Sequence, residues 1–113
     1  MNFLTTIYIL FLLTTWHISD YKVNEYWSHD LADGTTLAER VPLDIQNKFK
    51  VSEIMYKGTC DMGNAVDKWR KSESHNAILS DKEYDTAVFI MQRTDSEQCI
   101  IIGTYAEERD NTK

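Results

Sequence analysis

The stretch Trp69-Arg-Lys-Ser-Glu-Ser-His75-Asn-Ala-Ile-Leu79 is the part of the sequence around which the other elements can be placed. Asp61 lies shortly before it and can cap a helix. Apolar residues then follow at the spacing i, i+3, i+4 and i+7, which forms one stripe on a helix surface: Met62, Ala65, Val66 and Trp69. The sequence therefore predicts an amphipathic helix that buries Trp69 and ends near the serines of the stretch.

The second half of the stretch predicts a further short helix. Ser72 and Ser74 interrupt the apolar periodicity, and either can cap a helix that carries Ile78 and Leu79. His75 lies at this junction, where a side chain is held without being buried in a helix face. A lone histidine beside an apolar helix is most often a surface or core-edge residue, so a functional role for His75 needs separate support.

Strands are predicted on both sides of this helical region. Residues 86–92 and 99–105 are rich in β-branched and aromatic side chains and are separated by a turn-like run, which predicts an antiparallel hairpin. Residues 51–55 predict another strand carrying Glu53, whereas 56–60 are typical of a loop. Upstream, Asp33 and Gly34 mark a turn, Thr36 and Glu39 have the spacing of a capping box, and the following proline should end that short helix.

Length and charge limit the classes of protein to consider. A chain of 113 residues suits one domain with one modest core. The hydrophobic fraction is 42% and there is a single proline, which argues against long disordered segments. The net charge is −6 and no basic stripe is present, so binding to nucleic acid through phosphates is not expected.

The N-terminal segment allows three interpretations. Residues 1–19 carry no charged side chain, and the apolar run from Phe3 to Trp16 suits the hydrophobic region of a signal peptide. An uncleaved anchor and a buried helix of the domain are the alternatives, and contact with a membrane is expected only for the anchor. We therefore divide the chain into a leader (1–19), a domain (20–107) and a charged tail (108–113). His17 lies in the leader and is not expected to contribute to a site.

Several motifs occur in an order that points to a known family. Trp69-x-x-Ser-x-x-His75 resembles a Trp-x-x-Ser-Pro-Gly-His motif, and Tyr26-Trp-Ser-His29 resembles an aromatic-Ser-His signal. Asp33-Gly-Thr-Thr-Leu-Ala-Glu-Arg40 is similar to Asp-Gly-Ser-x-x-x-x-Arg. Val51-Ser-Glu53-Ile-Met stands in the place of Gly-Glu-Asn-Ile-Ala, and the segment from Tyr84 is similar to a Gly-Val-Gly strand. Together these segments, which cover about residues 26–105, resemble the CAP superfamily of cysteine-rich secretory proteins, antigen 5 and pathogenesis-related 1 proteins.

The resemblance implies a fold and a site. The fold is a small α/β domain, a three-layer α-β-α sandwich with an antiparallel sheet. The family places a long helix before its first histidine, which residues 3–27 can supply, unless the domain is truncated. His29, Glu53 and His75 correspond to a cluster that converges in the cavity of family members. Two neutral imidazoles, His29 and His75, could hold zinc, with Glu53 orienting a ligand or accepting a proton.

The resemblance also implies a function. We expect a secreted, extracellular, non-enzymatic CAP-like domain that binds a lipid, a sterol or a protein, or has a role in interaction or defence. The alternative is a metal-dependent hydrolase that uses His29, Glu53 and His75.

Two cysteines, Cys60 and Cys99, are present. In an oxidising compartment they can form a disulfide, which would add about 4 kcal/mol on the loop-entropy view. The alternative is two separate thiols, one of them buried in a strand.

Overall fold

A computed structural model describes residues 3–95 and 97–109 of the chain, as a three-layer α-β-α sandwich. One long helix and two short ones lie on one side of an antiparallel sheet, and two helices lie on the other side. In chain order the elements are α1 (Phe3–Asn24), α2 (Leu37–Arg40), α3 (Leu43–Lys48), β1 (Phe49–Thr59), α4 (Met62–Lys71), α5 (Glu73–Ser80), β2 (Thr86–Arg93) and β3 (Gln98–Glu108). The fold expected from the sequence is therefore confirmed.

The last strand, β3, is the centre of the sheet. The strand order is β1-β3-β2, and β3 pairs antiparallel with both neighbours along its length. Thr104 lies opposite Glu53 on β1 and opposite Val88 on β2. Consecutive β3 residues Ile100, Ile101 and Ile102 are fully buried because helices cover both faces of this strand.

The alternation of side chains along β1 divides the core into two sides. Ile54 and Tyr56 pack with Trp69 on the side of α4 and α5, which we call the α4 side. Met55 packs with Ile18 and other α1 residues on the opposite side, the α1 side. Glu53 lies two residues before Met55 on the same strand, and Val51 lies four residues before it. Their side chains therefore extend to the same face as Met55, so Glu53 belongs to the α1 side of the sheet.

The predicted amphipathic helix and its cap are confirmed. The Asp61 side chain accepts hydrogen bonds from the backbone nitrogens of the next turn, and α4 follows. Trp69 is 2% exposed, and its indole Nε1 donates to the Met55 carbonyl at 2.7 Å. Its ring also lies against Tyr56 and Phe89, with centroids 6.3 and 6.0 Å apart. Trp69 therefore joins α4 to β1 and β2.

The helix α1 is a layer of the fold. It runs without a break through the predicted boundary after residue 19 and packs across β2 and β3. Its buried face has the spacing of a helix stripe and consists of Thr6, Leu10, Leu13, Thr14, His17, Ile18 and Tyr21. In this structure α1 has the third of the three arrangements, a helix packed on the sheet, and the division of the chain into a leader, a domain and a tail stays a prediction. The length and composition of α1 would also suit a membrane span or a signal sequence, and cleavage of the chain stays a prediction.

The region from Pro42 to Cys60 differs from the prediction. Residues 43–48 form α3, and β1 extends from Phe49 to Thr59, through the segment expected to be a loop. The reason is tertiary pairing, because Lys57, Gly58 and Thr59 lie in register with the first residues of β3. The capping box of Thr36 and Glu39 and the turn at Gly34 (φ 90°) are as predicted.

The paired strands β1 and β3 are joined by a further contact at each of their two ends. Cys60 and Cys99 form a disulfide between the end of β1 and the start of β3, so the paired alternative is confirmed. At the other end of these strands, the backbone N–H of Arg109 donates a hydrogen bond to the Lys48 carbonyl oxygen, with an N–O distance of 2.7 Å. Residues 108–109 of the predicted tail therefore belong to the folded domain, and residues 110–113 lie outside the described residues.

Replacing Trp69 by alanine should lower the free energy of unfolding by about 3–5 kcal/mol, the usual cost of removing a buried Trp side chain. Met62→Ala on the same helix is the matched control, since Met62 is 36% exposed, and should cost less than about 1 kcal/mol. Urea denaturation followed by circular dichroism measures both. Equal costs for the two variants would contradict the packing described here.

Candidate functional site

A buried carboxylate on β1 is the centre of the candidate site. Glu53 is 6% exposed and extends from the α1 side of the sheet. Its Oε2 lies 2.7 Å from Nδ1 of His17, and its Oε1 lies 2.9 Å from Nδ1 of His29. An ionised carboxylate can only accept hydrogen bonds, so both imidazoles donate through Nδ1. One carboxylate thus joins two histidines, and we call these three residues with Arg40 the Glu53 cluster.

The helix α1 supplies His17. The side chain is fully buried, one turn after Thr14 on the face that covers the sheet. Thr14 Oγ1 donates to the Leu10 carbonyl at 2.6 Å and lies 2.7 Å from the hydroxyl of Thr104, the strand residue opposite Glu53. Two consecutive turns of α1 are therefore attached to adjacent positions of the sheet by polar contacts.

The loop after α1 supplies His29, and Arg40 holds that loop. Arg40 Nη2 donates to the His29 carbonyl at 2.6 Å, and Nε donates to the Thr36 carbonyl at 3.3 Å. Its Nη1 lies 3.9 Å from Glu53 Oε2. The guanidinium therefore fixes the backbone of His29 while its charge faces the carboxylate.

The electrostatics of the cluster favour an ionised glutamate. Burial raises the pKa of Glu53, but hydrogen bonds from His17 and His29 and the charge of Arg40 outweigh burial, so the pKa lies below 4.5. The hydrogen bond to Glu53 raises the pKa of His29 above 6.5, against the opposing effect of partial burial. Burial lowers the pKa of Arg40, and the charge of Glu53 opposes this.

The cluster leaves few atoms for a ligand. Among the described residues, His17 Nε2 and Arg40 Nη1 are buried without a hydrogen-bond partner. The His29 side chain is 57% exposed, and with Nδ1 bound to Glu53 its remaining ring nitrogen is Nε2. The arrangement could therefore present one oriented imidazole to solvent, in the way that a carboxylate orients a histidine in many sites.

His75 does not belong to this cluster. It lies on α5, whose Leu79 packs with the core on the α4 side, whereas Glu53 belongs to the α1 side. Its Nδ1 is hydrogen-bonded to Ser72 Oγ at 2.9 Å, within the same helix start. Of the three residues expected to converge, the structure brings His29 and Glu53 together and does not bring His75 to them.

The predicted zinc ligands, His29 and His75, are not brought together either. Within residues 3–95 and 97–109 the structure has no group of three or more His, Cys, Asp or Glu side chains that could hold a metal ion. Cys60 and Cys99 are both used in the disulfide. The donor set thus fits a resident zinc ion poorly, because structural and catalytic zinc sites need at least three protein ligands.

His17 and Arg40 are the two members of the Glu53 cluster that the sequence did not predict. The sequence places His17 in an apparent leader, because the apolar residues on the outer side of α1 hide the buried stripe. The signal is nevertheless present, since His17 follows Leu10, Leu13 and Thr14 at helical spacing. Arg40 is evident from the sequence only as part of the Asp-Gly motif, and its contact to the His29 carbonyl requires the folded loop.

The fold and the cluster together define a class of protein: a small disulfide-linked α-β-α sandwich whose N-terminal helix is attached to the sheet through a His-Glu-His cluster. The fold is similar to that of an outer surface protein from Borrelia burgdorferi, with a TM-score of 0.73. The two sequences are 20% identical, and the match covers 89% of this chain and 74% of that chain. At this identity the similarity concerns the fold. No protein-family model and no curated protein matches the chain.

Replacing Glu53 by alanine should lower the free energy of unfolding by about 3–5 kcal/mol, because it leaves Arg40 and His17 buried without their counter-charge or acceptor. His75→Ala is the control and should change stability by no more than about 0.5 kcal/mol, as for a surface substitution. Chemical denaturation at neutral pH measures both. A large loss for His75→Ala beside a small one for Glu53→Ala would contradict the assignment of the cluster.

The raised pKa of His29 predicts how stability depends on pH. Its contribution is fully present below the unfolded value of 6.5 and is lost as the pH rises through the higher folded pKa. The contribution of Glu53, whose pKa is lowered, is present above 4.5 and is lost as the pH falls through the folded pKa. The two contributions are therefore both complete between pH 4.5 and 6.5.

Proton NMR titration of the imidazole signals should therefore give His29 a pKa above 6.5 in the wild type and a lower pKa in Glu53→Gln. The signal is assigned by comparison with His29→Gln. His75→Gln serves as the control and should leave the titration of His29 unchanged. A His29 pKa that is the same in the wild type and in Glu53→Gln would contradict the hydrogen bond between these two residues.

Proposed function

We propose that the chain is a secreted, non-enzymatic CAP-like domain that acts by binding a protein partner. The observation that carries this proposal is that the Glu53 carboxylate is buried and hydrogen-bonded through both of its oxygens. Both of its oxygens accept hydrogen bonds from histidines, and its side chain is only 2% exposed. A carboxylate used in this way positions α1 and the His29 loop, and its burial gives a substrate or a metal ion little access to its oxygens.

The CAP assignment is supported by motif order and by one contact. The aromatic-Ser-His and Glu53 motifs supply the two residues that are hydrogen-bonded to each other at 2.9 Å. Arg40, from the Asp-Gly motif, holds the same loop. The layered fold agrees with the architecture that the resemblance implies. The position of His75 departs from the resemblance and weakens the case for a complete CAP cavity.

Export is supported by the disulfide and by the structural neighbour. Disulfides form and persist in oxidising compartments, and Cys60 and Cys99 are paired. The protein of similar fold is described as an outer surface protein. Removal of residues 1–19 would take away His17 and most of the face that covers β2 and β3. The proposal therefore keeps α1 in the exported, folded domain.

Two of the cavities suit a lipid or sterol poorly. The apolar cavity between α1 and β1 has a volume of about 10 Å³, far below the space that a sterol needs. The larger groove, of about 450 Å³, lies beside α4 and is lined by polar groups such as Asn64, Lys68 and Gln98. Small-molecule sites are mostly apolar, so these two spaces give a lipid ligand little support. A further groove of about 330 Å³ beside α2 and α3 is lined mainly by apolar side chains, including Leu37, Val41 and Phe49, and is the better candidate for an apolar ligand.

The alternative, a metal-dependent hydrolase using His29, Glu53 and His75, has less support. It requires a third residue that lies on α5, on the other side of the sheet from Glu53. It also requires an open carboxylate, whereas both oxygens of Glu53 are occupied.

Assays of ester and peptide hydrolysis test the choice between these two functions. The wild type should show no turnover above the rate without protein, whether zinc or a chelator is added. His29→Gln and His75→Gln should behave in the same way. Turnover that requires zinc and is abolished by His29→Gln would contradict the proposal and support the hydrolase.

The state of the cysteines tests the secreted part of the proposal. Protein recovered from its native source without reducing agent should contain no thiol that reacts with a maleimide, because Cys60 and Cys99 are paired. Free thiols in that material would place the chain in a reducing compartment. A preparation treated with reductant before labelling is the positive control.

A further inference from the structure

The outer side of α1 is an apolar surface that is left uncovered by the rest of residues 3–95 and 97–109. Five large side chains, which we call the outer face of α1, are between 47% and 75% exposed: Leu4, Tyr8, Phe11, Leu12 and Trp16. They follow the spacing i, i+4, i+7, i+8 and i+12, so they form one continuous stripe opposite the stripe that covers the sheet. No charged residue occurs between Phe3 and Ser19 to interrupt it.

The size of this face is unusual for a protein that stays monomeric. With large side chains presenting about 150–250 Å² each, the exposed fractions correspond to roughly 600 Å² of contiguous apolar surface. Patches on soluble monomers rarely exceed a few hundred Å², and those that do are usually binding sites. The outer face is therefore expected to be covered in the working form of the protein.

We infer that the outer face of α1 binds the same face of a second copy and forms a twofold dimer. A twofold interface buries the same patch on both subunits. Two outer faces together bury roughly 1,200 Å², which reaches the lower end of specific interfaces. Since the face carries no charge, two copies can meet there although each has a net charge of −6.

A second copy fits this face better than a membrane does. For α1 to span a bilayer it would have to leave the sheet, which would deprive Glu53 of His17 and expose Ile100 and Ile102. A helix lying on a membrane surface usually carries Lys or Arg along its other face. In α1 that other face is buried against the sheet, and Lys22 in the last turn is its first basic residue.

The test is sedimentation velocity of the full chain over a range of concentrations. We expect a reversible dimer with a dissociation constant in the micromolar range, as suits an interface of this size. Leu12→Lys places a charge in the face of both copies and should weaken the dimer by at least about a hundredfold. Leu43→Lys is the matched control, because Leu43 is 72% exposed on α3, and it should leave dimerisation unchanged.

Circular dichroism confirms that each variant is folded, and Tyr8→Lys provides a second test should Leu12→Lys fail to fold. A wild type that is monomeric up to about 200 µM, or a dimer that persists in both lysine variants, would overturn the inference. Sedimentation with phosphatidylcholine vesicles of a wild type that stays monomeric would also overturn it, and would assign the face to lipid. Loss of the dimer in Leu12→Lys and Tyr8→Lys but not in Leu43→Lys would support the inference.

Discussion

The hydrogen bonds between one carboxylate and two histidines are the interaction on which the arrangement of the layers depends. Glu53 is removed from water on β1, a position that costs free energy unless the charge is compensated. His17 on α1 and His29 in the following loop supply that compensation, and Arg40 adds a positive charge. The helix cannot slide or rotate on the sheet without breaking the hydrogen bond between His17 and Glu53 Oε2. The cluster thus determines the register of α1 on a surface that is otherwise apolar and would tolerate several positions.

Hydrophobic packing supplies most of the remaining stabilisation, in two separate parts. On the α4 side, Trp69 joins α4 to both outer strands of the sheet, and its indole nitrogen satisfies a strand carbonyl. On the α1 side, aliphatic residues of α1, α2 and α3 cover the other face. The disulfide between Cys60 and Cys99 closes the edge where β1 leaves the sheet. Layers on both sides explain why three consecutive isoleucines of β3 are fully buried.

Local signals predicted the elements that local interactions form. The Asp61 cap, the Trp69 stripe, the Thr36 capping box and the hairpin of β2 and β3 were evident because each rests on residues close in sequence. The extent of β1 was not evident, since Lys57 and Gly58 are strand residues only through pairing with β3. In the site, His29 and Glu53 could be predicted from motifs. His17 could not be recognised because α1 is apolar on both faces, and the displacement of His75 depends on how α5 packs.

The central position of β3 has a consequence for the order of folding. The structure pairs β1 and β2 with β3 and not with each other, so the sheet cannot form until β3 has been synthesised. Until then α1 lacks β3, one of the two strands that it covers, and with it Thr104, which Thr14 contacts. Contacts at such separation in sequence slow folding. An apolar helix therefore stays incompletely packed until β3 is available, and its exposed apolar surface is prone to aggregation during that interval.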